Sequence, residues 1–597
     1  MKETVLIDTA PSQIPPMKSQ KRYFNWSKYL YIFMLLTVVY IILAPMVMLL
    51  YSSVGSERGK LPFEELNFTF SNYLQVLLDP QTYSLLGNTV VFTIGSTLIG
   101  ISLSIFLAWV LERTSFPMTT LVFALIMIPM AIPNMIYAIG WMQLLNPNTG
   151  MINTMLQNLF GLVKGPFNIY SLGGMLFVQG ISMVPTAFLM IAASFKTLDP
   201  TLEEQSAICG HRMNSTVRRV TFPILMPALL ASTIYFTIVA METFEIPGTL
   251  GLTAGIALLS SKIYFVTHPP SGLPDFGMAS VLGVLMLFFA FILVWVYQRM
   301  TRSAEKYATI TGKGYRPKKL DLGKWKWPTI AVVWGFVIIS VILPLFSLLW
   351  GSLHPYYRKP SWEALQNISL ESYKNVFNYP EIGKIAWNTF FMSVGSGLAT
   401  ILVVGIVSWI VVRGPYTPRA RRLIDTIAFL PIALPGIVVG LALMFFYIYF
   451  PLPLYGTIWV MIIGMVTKYI AFGERTMVSA QMQISKDLEE ASLMAGSGMF
   501  ETMRKITIPL ISPALFYTFI WVAVHAMREL PVLVMLYSPD SMVASTLIWS
   551  LWEDGNVSMA AVLGIFLIVF FGIFFYCGKW LVDLSTNKIP STSKTKL

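Results

Sequence analysis

The sequence predicts an all-α integral membrane protein in which about twelve transmembrane helices form two parallel six-helix repeats. The first observation behind this prediction is composition. Of the 597 residues, 55% are hydrophobic and only 12% are charged, whereas about 25% of the residues in an ordinary soluble domain are charged. So few charges cannot cover the surface of a soluble protein of this length, but a surface that faces lipid needs none. The second observation is that the two halves of the chain repeat each other.

Apolar stretches of about 20 residues are long enough to cross a bilayer. The predicted spans are 29–53, 85–111, 119–145, 172–196, 224–247, 277–298, 328–353, 385–411, 424–450, 454–477, 510–537 and 558–583. The apolar pattern is weakest at 172–196 and 454–477, which carry glycine, proline or charge. The first stretch is not expected to be a signal peptide, because it is longer than a signal-peptide core and follows a polar, proline-containing tail.

Lysine and arginine collect in the two tails and in a linker between the halves, which explains the net charge of +12. The positive-inside rule makes these three segments cytoplasmic in a multi-pass protein of the cell membrane, with both termini cytoplasmic. No basic stripe or recognition motif predicts nucleic-acid binding. The predicted organisation is a cytoplasmic tail (1–28), a first span and outer loop (29–84), a first transmembrane domain (85–298), a basic cytoplasmic linker (299–327), a seventh span and outer loop (328–384), a second transmembrane domain (385–583) and a cytoplasmic tail (584–597).

The internal repeat is clearest in a polar segment. Residues 202–229 and 488–515 are identical at thirteen of 28 positions, where about two identities are expected by chance. The spans repeat as well, since Asn88-Thr89 recurs as Asn388-Thr389. Six spans per half is an even number, so the halves are parallel and both polar segments emerge on the cytoplasmic face. We call 202–223 and 488–509 the repeated loops.

Each repeated loop is predicted to be a short helix ended by a glycine, followed by the start of the next span. Gly210 and Gly496 suit a helix end or tight turn, where a side chain would be penalised. Small side chains on such a helix permit close approach to a partner. The residues of interest are Glu204, Gln205, Ser206 and Gly210 in the first loop, and Glu490, Ala491, Ser492 and Gly496 in the second.

The loops read Glu204-Gln205-Ser206-Ala207-Ile208-Cys209-Gly210 with Val220-Thr221-Phe222-Pro223, and Glu490-Ala491-Ser492-Leu493-Met494-Ala495-Gly496 with Ile506-Thr507-Ile508-Pro509. Both resemble the EAA loop of binding-protein-dependent ABC importer permeases, whose pattern is Glu-Ala-Ala-x-x-x-Gly, nine residues, then Ile-x-Leu-Pro. The second copy is closer; the first departs from the pattern at Gln205 and Phe222. The resemblance covers nearly the whole chain and implies the type I ABC importer transmembrane fold.

This resemblance implies a transport mechanism and two protein partners. Each repeated loop would be a coupling helix that docks in a cleft of a cytoplasmic ABC ATPase, present in two copies. An extracytoplasmic solute-binding protein would deliver the solute. The tandem single-chain form, with the segments 311–317 and 537–539, resembles the ferric-iron branch of these permeases. Other branches carry thiamine, polyamines, phosphonates or sulfate, and the chain itself does not decide between them.

An enzymatic function is not expected. The phosphate-binding pattern Gly-x-x-x-x-Gly-Lys-Ser/Thr is missing, since Gly312-Lys313-Gly314 lacks both the upstream glycine and the hydroxyl residue. The four histidines lack metal-ligand spacing, so neither a metal site nor a cofactor is predicted. A membrane enzyme would need an acid, base and metal set that the sequence does not offer. A twelve-span secondary transporter remains as an alternative.

Charged residues lie within the predicted spans at two places, one in each half. They are Glu242 and Glu245 before Pro247, and Arg528 and Glu529 before Pro531. Each such charge costs about 2.5–3.5 kcal/mol on insertion scales, so it usually faces a cavity or a partner. The four charges are expected either to line the pathway or its gate, with 245–247 parallel to 529–531, or to form an ion pair that holds the halves together. Three further charges, Lys468, Glu474 and Arg475, are expected to snorkel towards the cytoplasm.

Overall fold

The computed structural model describes residues 26–55, 58–62, 64, 68–198, 201–210, 213–304, 320–450 and 452–586. Most of the two predicted tails and residues 305–319 of the predicted linker therefore lie outside the described residues. Within the described ranges the secondary structure is helical, and the β contact there is an isolated bridge between Thr114 and Leu320. This bridge attaches the linker to the loop that follows the helix Pro80–Arg113.

The helices of the first half are α1 (Trp26–Val38), α2 (Ala44–Gly55), α3 (Ser71–Leu78), α4 (Pro80–Arg113), α5 (Thr119–Met127), α6 (Asn134–Leu145), α7 (Met151–Phe160), α8 (Leu172–Thr197), α9 (Thr201–Ile208), α10 (Met213–Thr216), α11 (Phe222–Glu242), α12 (Leu252–Ala254), α13 (Leu259–Thr267) and α14 (Phe276–Ala304). A π turn at Val39–Leu43 joins α1 and α2 into one span. Another, at Val217–Thr221, leads into α11.

The second half repeats this order. Its helices are α15 (Lys326–Val337), α16 (Leu343–Ser352), α17 (Trp362–Gln366), α18 (Glu371–Phe377), α19 (Ile382–Val412), α20 (Pro418–Phe429), α21 (Gly436–Tyr449), α22 (Ile458–Met482), α23 (Lys486–Met494), α24 (Met499–Thr502), α25 (Ile508–Arg528), α26 (Ala544–Glu553) and α27 (Val557–Thr586). The π turns recur at Ile338–Ile342 and Met503–Thr507. Each of the four is followed two residues later by a proline, whose missing N–H and bulky ring disturb the preceding turn.

Nine helices in the described ranges are long and apolar enough to cross a membrane, or up to twelve spans if each of three bent helix pairs counts as one. This confirms the predicted fold class, although the elements differ from those predicted. The stretches 119–145 and 424–450 are pairs bent by 102° and 113°, and a third pair, Pro247–Ala254 with Leu259–Thr267, is bent by 78°. The stretch 454–477 forms the continuous helix α22, but its three charged residues make it more polar than the nine.

Each half packs its first span against the other half. In the π turn before α2, the carbonyl of Ile41 accepts a hydrogen bond from Thr467 Oγ1 of α22 (3.1 Å). α2 itself packs on α21. Reciprocally, Ser347 Oγ of α16 donates to the carbonyl of Gly140 in α6 (2.8 Å). The two first spans therefore cross over between the halves, and the buried core continues from one half into the other.

Candidate functional site

Both repeated loops contain the predicted short helix, which is α9 in the first loop and α23 in the second. The glycines that follow have positive φ angles, +80° at Gly210 and +87° at Gly496. A Cβ atom at either position would meet nothing within 4 Å. Glycine is thus required by the left-handed backbone that ends the helix, and not by lack of space.

An arginine at the end of α4 holds the first repeated loop. Arg113 is 4% exposed, and its Nη2 donates to the carbonyls of Phe195 (2.9 Å) and Leu198 (3.1 Å), where α8 ends. Its Nη1 lies 3.6 Å from Glu203 Oε2 in α9. The other oxygen of Glu203 accepts a hydrogen bond from Thr221 Oγ1 (2.7 Å). One guanidinium therefore fixes the position of the short helix relative to two spans.

The second loop has the same arrangement. Arg413 Nη2 donates to the carbonyls of Gln481 (3.0 Å) and Ile484 (2.6 Å), and its Nη1 lies 3.6 Å from Glu489 Oε2. Thr507 Oγ1 donates to Glu489 Oε1 (3.0 Å). We call these two networks the arginine clamps. Sequence reasoning missed both arginines, although their spacing of 300 residues, the same as for Thr89 and Thr389, was a usable signal.

The predicted contact residues of the loops do not all face outward. Ser206 and Ser492 bond within their own loops, through hydrogen bonds of 2.8 and 2.9 Å to Thr216 and Thr502. Gln205, Glu490 and Ala491 are exposed, and the side chain of Glu204 lies outside the described residues. The two serines therefore stabilise their own loops. The three exposed residues are available to a partner.

Large apolar side chains are exposed at matching positions of the two short helices. Ile208 is 84% exposed and Met494 is 89% exposed. Both stand two residues before the terminal glycine. Exposed apolar residues on a water-facing protein surface mark contact sites when they form part of a patch. This pair, together with the exposed polar residues beside it, gives each loop a surface suited to docking.

The predicted intramembrane charges come together around one central cavity of about 220 Å³. Glu242 is the last residue of α11, and Glu245 lies three residues beyond it. Arg528 is the last residue of α25, and Glu529 follows it directly. Lys468 of α22 lies in the same wall. Three carboxylates and two cations thus surround a cavity where the halves meet.

The prediction that Lys468 snorkels is wrong. Its Nζ lies 2.8 Å from Glu529 Oε1, and the second oxygen of Glu529 accepts a hydrogen bond from Tyr469 OH (2.8 Å). The ammonium points inward because α22 turns this face towards the cavity, where a carboxylate compensates the loss of hydration. Glu474 does not snorkel either; it is fully buried, with Arg475 Nε 3.4 Å away.

The charge cluster contacts the bends of two broken helix pairs. Arg528 Nη1 donates to the carbonyl of Met130, which lies just before the bend between α5 and α6. A Cβ atom on Gly436, at the bend between α20 and α21, would lie 2.7 Å from Lys468 Nζ. Glycine at this bend therefore leaves room for the Lys468–Glu529 pair. A change in either bend would alter the walls of the cavity and the charges on them.

The helix ends also correct the expected correspondence between the halves. α11 and α25 each contain 21 residues, and they end at Glu242 and Arg528. Glu242 therefore corresponds to Arg528, and the expected parallel between 245–247 and 529–531 is shifted by two residues. Both halves have a glutamate two residues before a proline, and this similarity led to the incorrect alignment of 245–247 with 529–531.

The family model and the relatives that match this chain in sequence support a transport role. Residues 415–589 match the family model described as the inner membrane component of binding-protein-dependent transport systems. A ferric transport system permease protein of Actinobacillus pleuropneumoniae is 26% identical over 505 residues, which cover 84% of this chain and 70% of the relative. A putative ferric transport system permease-like protein of Escherichia coli (strain K12) is 35% identical over 120 residues, which are 20% of this chain and 98% of the relative. A solved bacterial ABC transporter involved in alginate import aligns with 44% of this chain and 96% of its own, at 18% identity and a TM-score of 0.36.

Proposed function

Because this chain belongs to the family of inner membrane components of binding-protein-dependent transport systems, we propose that it imports ferric iron as the permease subunit of an ATP-driven transporter. The observation that carries the transport part is the duplicated loop with its arginine clamp, built from equivalent residues in both halves. The relative that matches 84% of this chain is named as a ferric transport permease, which supports iron as the cargo.

In this proposal the repeated loops are coupling helices for two copies of a separate cytoplasmic ATPase. Exposed Ile208 and Met494 would enter the ATPase clefts, and Gln205, Glu490 and Ala491 would contact their walls. The loops, both tails and the linker would then be cytoplasmic, in agreement with the concentration of lysine and arginine there. A solute-binding protein would dock at the opposite end.

The central cavity is the proposed pathway or gate. Glu242, Glu245 and Glu529 outnumber Lys468 and Arg528, so an ionised cluster carries one net negative charge. A negative cluster in a poorly hydrated cavity attracts a cation more strongly than the same cluster in water. The bends contacted by Arg528 and Lys468 would move as the cavity changes sides. The charges line open space, which favours a pathway role over a fixed ion pair.

The test is uptake into proteoliposomes that contain the chain, its ATPase and its binding protein. We expect ATP-dependent accumulation of radioactive iron that excess thiamine, spermidine, phosphonate or sulfate does not reduce. Accumulation of one of those solutes in place of iron would overturn the proposed cargo. Iron uptake that needs no ATPase would overturn the importer assignment in favour of a secondary transporter. Glu245→Gln and Glu529→Gln test the pathway, since near-normal uptake in both would contradict it.

A further inference from the structure

Each repeated loop is connected to the opposite end of the molecule by one long helix. α4 contains 34 residues and α19 contains 31, and both run without a π turn and without a proline after their first residue. α4 is also fixed to α8, the helix that leads into the first loop. Ser104 Oγ donates to the carbonyl of Gly100 (2.7 Å) and shares this proton with the carbonyl of Val184 (3.2 Å). A Cβ atom on Gly100 would lie 2.9 Å from the carbonyl oxygen of Gly180. Such close packing prevents α4 from sliding along α8.

At the far end, each long helix holds a short helix through a threonine hydroxyl. Thr89 Oγ1 accepts a hydrogen bond from the N–H of Leu259, the first residue of α13 (3.0 Å). Thr389 Oγ1 accepts one from the N–H of Ala544, the first residue of α26 (2.8 Å). Each hydroxyl donates its own proton to a carbonyl one turn earlier in its helix, so its orientation is fixed. We call Thr89 and Thr389 the threonine anchors.

The anchors and the clamps have the same spacing in both halves. Thr89 and Arg113 are separated by 24 residues, as are Thr389 and Arg413, which corresponds to about 36 Å of helix at 1.5 Å per residue. In each half, therefore, a clamp and an anchor at the same separation connect the repeated loop to the short helix at the far end, which is α13 or α26.

The two short helices, α13 and α26, meet each other where the halves join. Trp549 Nε1 of α26 donates to Tyr264 OH of α13 (3.0 Å). Tyr264 OH in turn donates to Glu553 Oε1 (3.2 Å), and the ring of Phe244 packs against both aromatic rings. Trp549 is fully buried and Tyr264 is 4% exposed. This contact closes the junction between the halves at the end opposite the loops.

We propose that α4 and α19 transmit movement of the repeated loops to the Tyr264–Trp549 contact, with the threonine anchors as positioning residues. When the ATPase moves the loops, the clamps displace the long helices, and the anchors draw α13 and α26 apart. The inference rests on the proposed function, because the ATPase supplies the movement. A threonine that merely capped its short helix would add stability without controlling the distance between α13 and α26.

Pulsed electron paramagnetic resonance on the assembled complex separates these roles. Ser271 and Asn556 are exposed, and they lie in the segments that follow α13 and α26. Nitroxide labels at Ser271→Cys and Asn556→Cys, in a Cys209→Ser, Cys577→Ser chain, report the distance between the short helices. In the otherwise unaltered complex we expect this distance to increase when the ATPase is trapped with ATP and vanadate.

The decisive variant is Thr89→Val with Thr389→Val, which keeps side-chain shape and removes both hydroxyls. We expect the ATP-dependent shift to disappear while ATP hydrolysis continues, so that less solute is imported per ATP. Thr89→Ser with Thr389→Ser should restore the shift. The matched control is Thr97→Val with Thr400→Val, because these buried hydroxyls on the same helices find no hydrogen-bond partner among the described residues.

An unchanged shift in the double valine variant would overturn the inference, because the anchors would then be dispensable for the movement. Loss of the shift in the Thr97→Val, Thr400→Val control would overturn it as well, since any buried hydroxyl would have the same effect. If the unaltered complex hydrolysed ATP but showed no shift, the transmission would be refuted and the importer assignment would stand. If the chain bound no ATPase, the proposed function would fail and this inference with it.

Discussion

Removal of the first arginine clamp tests whether the ion pair positions the loop. Arg113 is 4% exposed and Glu203 is 14% exposed, so water screens the pair weakly. At their separation of 3.6 Å, and with an effective dielectric constant of about 20, the Coulomb energy is about 5 kcal/mol. Desolvation of both groups offsets much of this energy. We therefore expect a coupling free energy of about 1–3 kcal/mol between Arg113→Met and Glu203→Gln.

A double-mutant cycle on thermal or denaturant unfolding of the purified chain measures this coupling. The single variant Arg113→Met should be the more destabilised, because it leaves the Glu203 carboxylate with only its Thr221 hydrogen bond and the carbonyls of Phe195 and Leu198 without their donor. If the loop couples the chain to an ATPase as proposed, uptake per ATP hydrolysed should fall as well. Additive effects of the two substitutions would refute the reasoning, as would Arg113→Met with normal uptake per ATP.

The remaining predictions concern the second loop and the cavity. Gly496→Ala should strain the left-handed backbone by about 1–2 kcal/mol and lower uptake per ATP. Gly496→Asn should have smaller effects on both, because asparagine tolerates this backbone conformation better. Equal effects of the two substitutions would argue against a conformational cause. Lys468→Met should destabilise the chain by about 3–5 kcal/mol, because it leaves a buried carboxylate without its cation. In a melting experiment, adding Glu529→Gln should recover much of the lost stability. No recovery would contradict the ion-pair account. Met494→Glu should reduce co-purification of the ATPase while shifting the unfolding free energy by less than about 0.5 kcal/mol; normal co-purification would exclude Met494 from the docking surface.

The fold class could be predicted because it depends on patterns that the bilayer imposes locally. Long apolar stretches and their repetition need no knowledge of tertiary structure. The bends at 119–145 and 424–450 could not be predicted, because a proline in an apolar stretch indicates a disturbed helix without giving its angle. Counting apolar stretches therefore found the nine unbroken candidate spans and two of the bent pairs, and it missed the third bent pair.

Only part of the candidate site could be predicted, because some of its residues depend on local backbone chemistry and others on long-range contacts. The terminal glycines of the loops follow from backbone chemistry, which sequence displays directly. The clamps depend on contacts between residues far apart in the chain, such as Arg113 and Glu203, and only their repetition could have revealed them. Lys468 was misjudged because its direction depends on which face α22 turns to the cavity, and one side chain cannot indicate the rotation of its helix.

The crossing of the first spans has a consequence for biosynthesis. α2 packs on α21, and Thr467 bonds to a carbonyl 426 residues earlier in the chain. At about 5–20 residues per second, a ribosome needs roughly 20–80 s to make the intervening chain. During that interval the first span is already inserted but has no partner from the second half. Neither half can reach its final packing alone, so a chain released between the halves would leave an incomplete helix bundle for membrane quality control to remove.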